Sequence, residues 1–341
     1  MIRPLLEHVV RGGTLSTEEA AAAVRSMVRG ESPDTLVAGF LAALAARGET
    51  EEELLGGALA LRSEALPFAT AREPLLDTCG TGGDGSGTYN VSTAVALVAA
   101  SAGVAVAKHG NRSVSSRCGS ADVLEALGAR VDLGPKGAAR VLEETGFTFL
   151  FARRFHPAMR NVADVRAALG IRTLFNWLGP LCNPARATHQ LLGVSDGARV
   201  PSVARVLQGL GVTRALVVHG AGGLDELSLA PGNTALEVRD GTAPAGHAVE
   251  AEHLGLKAAG PDALQGGNPL ENAAILRALF RGERWPRRDA LVLNAAAALW
   301  IVGGAPTLQA AADLAAERLD SGATRRTLER YVDLTLRVGD A

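Results

Sequence analysis

Leu75-Leu76-Asp77-Thr78-Cys79-Gly80-Thr81-Gly82-Gly83-Asp84-Gly85-Ser86-Gly87-Thr88 is the stretch on which the fold turns. Its apolar start reads as a short strand, and five glycines within residues 80–87 end that strand abruptly. Consecutive glycines let backbone N–H groups turn inward as an anion nest. A helix beginning near Asn90-Val91-Ser92-Thr93 would add its positive end. Gly80, Gly82 and Gly85 also fit the GxGxxG dinucleotide pattern, but a lone match is weak. A dinucleotide fold further requires an acid about 20 residues on to hold ribose hydroxyls, whereas the next strand ends in Lys108. A phosphate cradle explains the glycines and their flanking hydroxyls better than a cofactor loop or a plain flexible turn.

Outward from this stretch, Val104-Ala105-Val106, Phe147-Thr148-Phe149-Leu150, Leu191-Leu192-Gly193-Val194 and Ala215-Leu216-Val217-Val218 are further strand-like runs separated by helical segments. That rhythm predicts an α/β architecture with a largely parallel central sheet flanked by helices. Ligands of such sheets sit beyond the carboxyl ends of the strands. Residues 80–93, 108–120, 153–159 and 219–226 follow four of these strands and should converge on one edge. Up to about Pro67 the sequence reads instead as a separate small all-α unit. Ser16 with Glu19 and Thr50 with Glu53 fit the capping box, and Leu36, Phe40, Leu41 and Leu44 recur at helical spacing. The tail from Asn268-Pro269 is helical again. Between Arg166 and Pro184 lies a turn-rich crossing, and residues 157–169 read as one helix.

Composition narrows the function. Lys and Arg number 34 against 36 Asp and Glu, so no global field attracts nucleic acid or an anionic membrane. An anionic ligand has to be held locally. Cys79, Cys118 and Cys182 form neither a CxxC pair nor a disulfide framework, and with no apolar run long enough to span a bilayer the expectation is a cytoplasmic protein.

Three more constellations carry chemistry. Lys108-His109-Gly110-Asn111-Arg112-Ser113-Val114-Ser115-Ser116, with Ser120 beyond, offers cations, an amide and hydroxyls to phosphate and ribose oxygens. A solvated basic loop explains the charge but not the small hydroxyls, and Ser120 could equally cap the following helix. Asp225-Glu226, in a glycine-bearing loop after a strand, repel each other unless a cation lies between them; Mg2+ suits such a pair beside substrate phosphates. Arg166 could orient an acceptor carboxylate or lie on a helix surface. His109 and His156 are equally compatible with satisfied core histidines.

Taken together, Asp77-Thr78-Cys79-Gly80-Thr81-Gly82-Gly83-Asp84, Asn90-Val91-Ser92-Thr93, Lys108-His109-Gly110-Asn111-Arg112, His156-Pro157-Ala158-Met159, the run from Leu169-Gly170-Ile171-Arg172-Thr173 to Asn183-Pro184, and Asp225-Glu226 resemble the anthranilate phosphoribosyltransferases in order and spacing. The resemblance implies a nucleoside phosphorylase/phosphoribosyltransferase-like architecture. Residues 1–70 plus about 166–187 would form a helical dimerisation and hinge domain, and residues 71–165 plus 188–341 an α/β domain that binds phosphoribosyl pyrophosphate. It implies that Gly80, Gly83, Asp84, Thr88, Asn90, Val91, Ser92, Thr93, residues 108–116 and Ser120 hold that substrate. Gly80, Asn111 and Arg166 would contact anthranilate, with His109 and Pro180 lining its path. Ser92, Asp225 and Glu226 would bind Mg2+, two ions in all. The implied assembly is a homodimer, and no dedicated acid–base residue is expected. Arg153-Arg154 depart from similar sequences, which more often carry Pro or a neutral residue there. Two rivals are a pyrimidine nucleoside phosphorylase-like enzyme, which would not need the segment from Arg166 to Pro184, and a non-enzymatic nucleic-acid-binding paralogue, which would need a basic surface.

Overall fold

Five strands form where the sequence places them and lie side by side in a computed structural model that describes residues 2–113, 117–284 and 286–339. They are β1 (Leu75–Gly80), β2 (Ala105–Gly110), β3 (Phe147–Phe151), β4 (His189–Gly193) and β5 (Arg214–His219). All run parallel, in the order β3-β2-β1-β4-β5. Parallel neighbours need crossover connections, and the helices that supply them cover both faces. Alternate side chains therefore enter different cores. Leu191, Leu216 and Val218 join the apolar cluster built around helices Val91–Ser101 and Pro286–Ile301. Leu192, Ala215 and Val217 join a second cluster with the N-terminal helices and helix Val200–Gly209.

Two further strands are not among those expected from the sequence. Thr234–Arg239 (β6) pairs antiparallel with β5, and Thr242–Gly246 (β7) pairs antiparallel with β6. Asp240-Gly241 makes the tight turn, with Gly241 at φ 72°. A two-residue Asp-Gly between alternating residues is a hairpin signal, and it is present in the sequence. The segment read as one helix over 157–169 divides into 3-10 turns, Pro157–Val162, and an α-helix, Ala163–Leu169. Tertiary contact intervenes there: the Asn161 amide donates to Val28 O at 2.7 Å, tying the turns to helix Thr17–Val28.

The N-terminal helices are Ile2–Val10, Thr17–Val28, Asp34–Arg47 and Glu51–Glu64, and both expected capping boxes form. Val165, just before the turn-rich crossing, and Leu174, Phe175, Leu178 and Leu181 within it pack into the same cluster as these helices. Glu53 ties the group together. It is fully buried, accepts the N–H groups of Thr50 (2.9 Å) and Leu15 (3.0 Å), and pairs with Arg47. Removing its carboxylate strands a part-buried guanidinium and two donors, a loss of about 3–5 kcal/mol for breaking a buried pair. Chemical denaturation of Glu53→Ala should show a decrease of that size; a decrease below ~1 kcal/mol would mean that the pair contributes nothing beyond packing.

Candidate functional site

Glycines end the strands that matter. Gly80, Gly110 and Gly193 are the last residues of β1, β2 and β4, and Gly220 follows β5. Without side chains at these points, the Asp225-Glu226 segment lies directly across the strand ends. A Cβ on Gly193 would sit 1.6 Å from the Asp225 carbonyl oxygen, one on Gly80 2.3 Å from Asp225 Oδ2, and one on Gly220 2.0 Å from the Glu226 carbonyl oxygen. Only glycine permits this approach. Gly80 is legible in the sequence through its loop. Gly193 is not picked out there, and its one signal is a glycine closing an otherwise apolar strand.

The two acidic residues thereby reach the glycine loop after β1 and the helix behind it. The Gly82 N–H donates to Asp225 Oδ2 at 2.7 Å, and the Ser92 N–H donates to Glu226 Oε1 at 3.1 Å. Ser92 stands in the first turn of helix Val91–Ser101, so the positive end of that helix faces the Glu226 carboxylate. Asp84 folds back on its own loop, accepting from Ser86 N–H (3.1 Å) and Ser86 Oγ–H (2.6 Å), and its Oδ2 lies 3.5 Å from the Asp225 backbone nitrogen. Lys108, 2% exposed, donates through Nζ to Ser92 Oγ at 3.0 Å and also to the Thr78 carbonyl. Asp77, fully buried beside it, accepts the His109 N–H at 3.2 Å.

Asp84, Asp225 and Glu226 therefore crowd one another, with Lys108 opposing the crowding at Glu226. Burial, then the Asp84 charge, raises the Asp225 pKa to about 7. Burial, then the Asp225 charge, holds Glu226 well above the usual carboxylate range, against the opposing pull of Lys108. Crowded carboxylates whose ionised forms are disfavoured fit a hard cation with oxygen ligands, and Mg2+ in particular. Ser92, Asp225 and Glu226 would supply them.

The remaining expected residues divide. Gly83, with φ 72°, and Thr88 belong to the loop, which an isolated bridge from Thr88 to Gln265 ties to the strap at Pro261–Leu264. Val91 and Thr93 are buried at the helix start. Asn90 is used internally, donating to Cys118 O (3.2 Å) and accepting from Asn272 Nδ2 (2.9 Å). Gly110 ends β2, two residues after Lys108, and Asn111 follows it. The Arg112 guanidinium turns to Glu125 (2.6 Å) and Asp122 (3.1 Å). Ser113 donates its N–H to Asp122 at 3.0 Å. Val114, Ser115 and Ser116 lie outside the described residues. Ser120 does not cap its helix: Gly119 is the N-cap, its N–H donating to Asp122 Oδ2 at 2.8 Å, while Ser120 Oγ donates to Asn111 O at 3.2 Å. His109 and His156 are buried with ring centroids 5.1 Å apart.

Arg166 and Arg172 come from the turn-rich crossing. Arg166 lies over the Phe175 ring at 5.4 Å, has no carboxylate partner among the described residues, and has its pKa lowered by burial. Arg172 carries no role in the sequence pattern beyond its place in the resemblance. It donates to Gly82 O at 3.1 Å and stacks on Trp177 at 5.2 Å, and Arg199 approaches the same ring at 5.3 Å. The glycine loop is thereby fastened to the helical part of the chain.

Comparison with known proteins agrees with this arrangement. The glycosyl transferase family a/b domain matches residues 72–325, and the helical bundle domain of the same family matches residues 3–65. An anthranilate phosphoribosyltransferase of Roseiflexus castenholzii is 50% identical over 335 residues, 98% of each chain. The crystal structure of anthranilate phosphoribosyltransferase from Thermus thermophilus superposes with a TM-score of 0.91 at 48% identity, covering 97% of this chain and 99% of that one. The Saccharomyces cerevisiae enzyme, 26% identical, has been solved in complex with PRPP and Mg (TM-score 0.90; 99% of this chain and 98% of that one). It has also been solved with 4-fluoroanthranilate (TM-score 0.89, same coverage).

The carboxylate crowding has a measurable sign. A carboxyl group raised from 3.8 to about 7 on folding stabilises the native state only while protonated, so its contribution is lost as pH rises through about 7. Asp225→Asn removes that loss and keeps an acceptor for Gly82. In chelator, its melting temperature relative to the parent should climb between about pH 4 and about pH 7. The stabilisation that Mg2+ gives the parent should disappear. A variant that keeps the full Mg2+ shift would remove Asp225 from the cation site.

Proposed function

The chain belongs to the anthranilate phosphoribosyltransferase family, and on that premise we propose that its cleft transfers the phosphoribosyl group of 5-phosphoribosyl 1-pyrophosphate to the amine of anthranilate. The products are N-(5-phosphoribosyl)anthranilate and pyrophosphate, in a step of tryptophan biosynthesis. The observation that carries the reading is the meeting, at one sheet edge, of a glycine loop, a buried lysine and the Asp225-Glu226 carboxylates; Arg166, over Phe175, has no carboxylate partner among the described residues.

The donor is the anionic partner. N–H groups of the loop at residues 80–88 and the Lys108 ammonium would offset negative charge growing on the departing pyrophosphate. Mg2+ held by Ser92, Asp225 and Glu226, as two ions, would neutralise diphosphate oxygens as the bond to ribose C1 breaks. Positive charge meanwhile develops on the sugar, as in glycoside cleavage. The aryl amine is neutral at pH 7 and already nucleophilic, so the reaction requires no acid–base dyad. Positioning supplies much of the rate, and Arg166 is the group suited to it: its desolvated guanidinium can fix the acceptor carboxylate as a fork so that the amine faces C1. Asn111 and Gly80 would complete the acceptor contacts. Arg112 would exchange Glu125 and Asp122 for substrate phosphate.

Residues 1–70 with 166–187 would form one domain and the rest the other, with the Arg172–Gly82 bond at their junction. A homodimer through the helical domain is consistent with exposed Val10 and Leu59 on its helices. No helix among the described residues is long and apolar enough to cross a membrane, and a cytoplasmic setting suits the three free cysteines. A nucleoside phosphorylase would leave Arg166 without a task, and a nucleic-acid-binding role has little support in a net charge of −2.

Incubation with phosphoribosyl pyrophosphate, Mg2+ and anthranilate should extinguish anthranilate fluorescence; persistence at every enzyme concentration would defeat the reading. Arg166→Ala should cost ~1.5–3 kcal/mol of transition-state binding, one to two decades in kcat/KM for anthranilate. The KM for the donor should stay nearly unchanged. Arg166→Lys should restore only part, since a point charge lacks the fork. Wild-type anthranilate kinetics in the alanine variant would return Arg166 to a packing role over Phe175.

A further inference from the structure

We propose that His109, His156 and Cys182 form a second metal site, distinct from the carboxylate site and selective for a borderline-soft divalent cation of the zinc class. The three residues come from separate segments: the end of β2, the residue before the 3-10 turns Pro157–Val162, and the residue after the 3-10 turn Gly179–Leu181. One ligand atom from each lies within 4.8 Å of the other two. They are 6%, 5% and 4% exposed.

The hydrogen bonding prepares the ligands. His109 Nδ1 lies 3.2 Å from Gly179 O. A carbonyl oxygen can only accept, so Nδ1 carries the proton and the lone pair is on Nε2. Fixing the tautomer through the far nitrogen is the usual device behind a metal-bound histidine. His109 Nε2 is buried without a hydrogen-bond partner, and so is His156 Nε2. A buried polar atom left unsatisfied is costly, and two such atoms belong to rings that share one buried cluster with the Cys182 thiol, a combination that a cation would satisfy. Burial keeps both imidazoles neutral, with His156 lowered to about 4, so no proton competes for the lone pairs near neutral pH. Cys182 Sγ–H donates to Gly179 O at 3.4 Å. Burial pushes the Cys182 thiol up to about 12, so here the cation has to displace the proton, which goes to solvent as the thiolate sulfur bonds the metal. His109 retains the carbonyl.

Donor chemistry sets the selectivity. Two imidazole nitrogens and a thiolate suit Zn2+ or Co2+, whereas the oxygen set at Asp225 and Glu226 suits Mg2+. Three protein ligands leave a fourth position for water. A tetrahedral shell with bonds of about 2.0–2.3 Å sets its ligand atoms about 3.5 Å apart, so the trio has to contract by about 1 Å. Lys108 and Arg62 are the nearby cations that oppose binding; Asp77, whose charge also reaches Cys182, favours it.

The test uses reduced full-length protein in saturating Mg2+, which fills the oxygen site. Co2+ titration should develop a near-ultraviolet thiolate-to-cobalt charge-transfer band that saturates at one equivalent and is displaced by Zn2+. Cys182→Ser should abolish the band, Cys79→Ser and Cys118→Ser should retain it, and His156→Asn should weaken Co2+ binding by at least ~10-fold, the scale seen when a metal site loses a supporting group. X-ray absorption of the zinc-loaded parent should show sulfur together with imidazole nitrogen, a readout that does not depend on any variant folding. Absence of the band and of a sulfur donor in the parent, or a band that survives Cys182→Ser, would overturn the proposal.

Discussion

The Asp225-Glu226 segment fills the space that side chains at Gly80, Gly193 and Gly220 would need, with the Asp225 carboxylate at Gly80 and backbone carbonyls at the other two, and most of the site depends on that approach. It brings carboxylates from one loop against the glycine loop of β1 and the first turn of the helix after it. Once there, the carboxylates cannot all ionise comfortably, because burial and mutual repulsion act in the same direction. Lys108 relieves part of this, and Lys108 is itself held by Thr78 and Ser92. The site is built under electrostatic tension that a bound cation would relieve.

That constraint explains what the sequence makes legible. Glycine runs, a lysine at a strand end and an Asp-Glu pair are local features, and local features survive translation into one dimension. Parallel strands buried on both faces produce near-continuous apolar runs such as Ala215-Leu216-Val217-Val218, so the sheet core is readable too. The β6–β7 hairpin carries a weaker pattern, with β7 largely exposed, and only Asp240-Gly241 marks it.

What stays hidden is mutual orientation. Nothing local in Arg112 says that it pairs with Glu125, and nothing in Arg172 says that it reaches Gly82 across ninety positions of sequence. Ser120 looks like a cap because serine often is one; Asp122 instead serves Gly119 and Ser113, leaving the serine hydroxyl for Asn111. Arg166 is ambiguous in sequence because a helix surface and a ligand pocket ask for the same residue. Its setting over Phe175 is decided by how residues 163–178 fold back on the N-terminal helices.

The sheet keeps its two apolar clusters apart, and this has a bearing on how such a protein can diversify. The helix behind the glycine loop is anchored in one cluster, while Val165, next to Arg166, and Phe175, beneath it, are anchored in the other. Substitutions that reshape the acceptor side can be absorbed by repacking a cluster that the donor loop's helix does not touch. With Arg166 on the acceptor as proposed, changes of acceptor preference become accessible in small steps, each compatible with an unaltered grip on the donor, with Arg172 on Gly82 as a point where the two histories must remain matched.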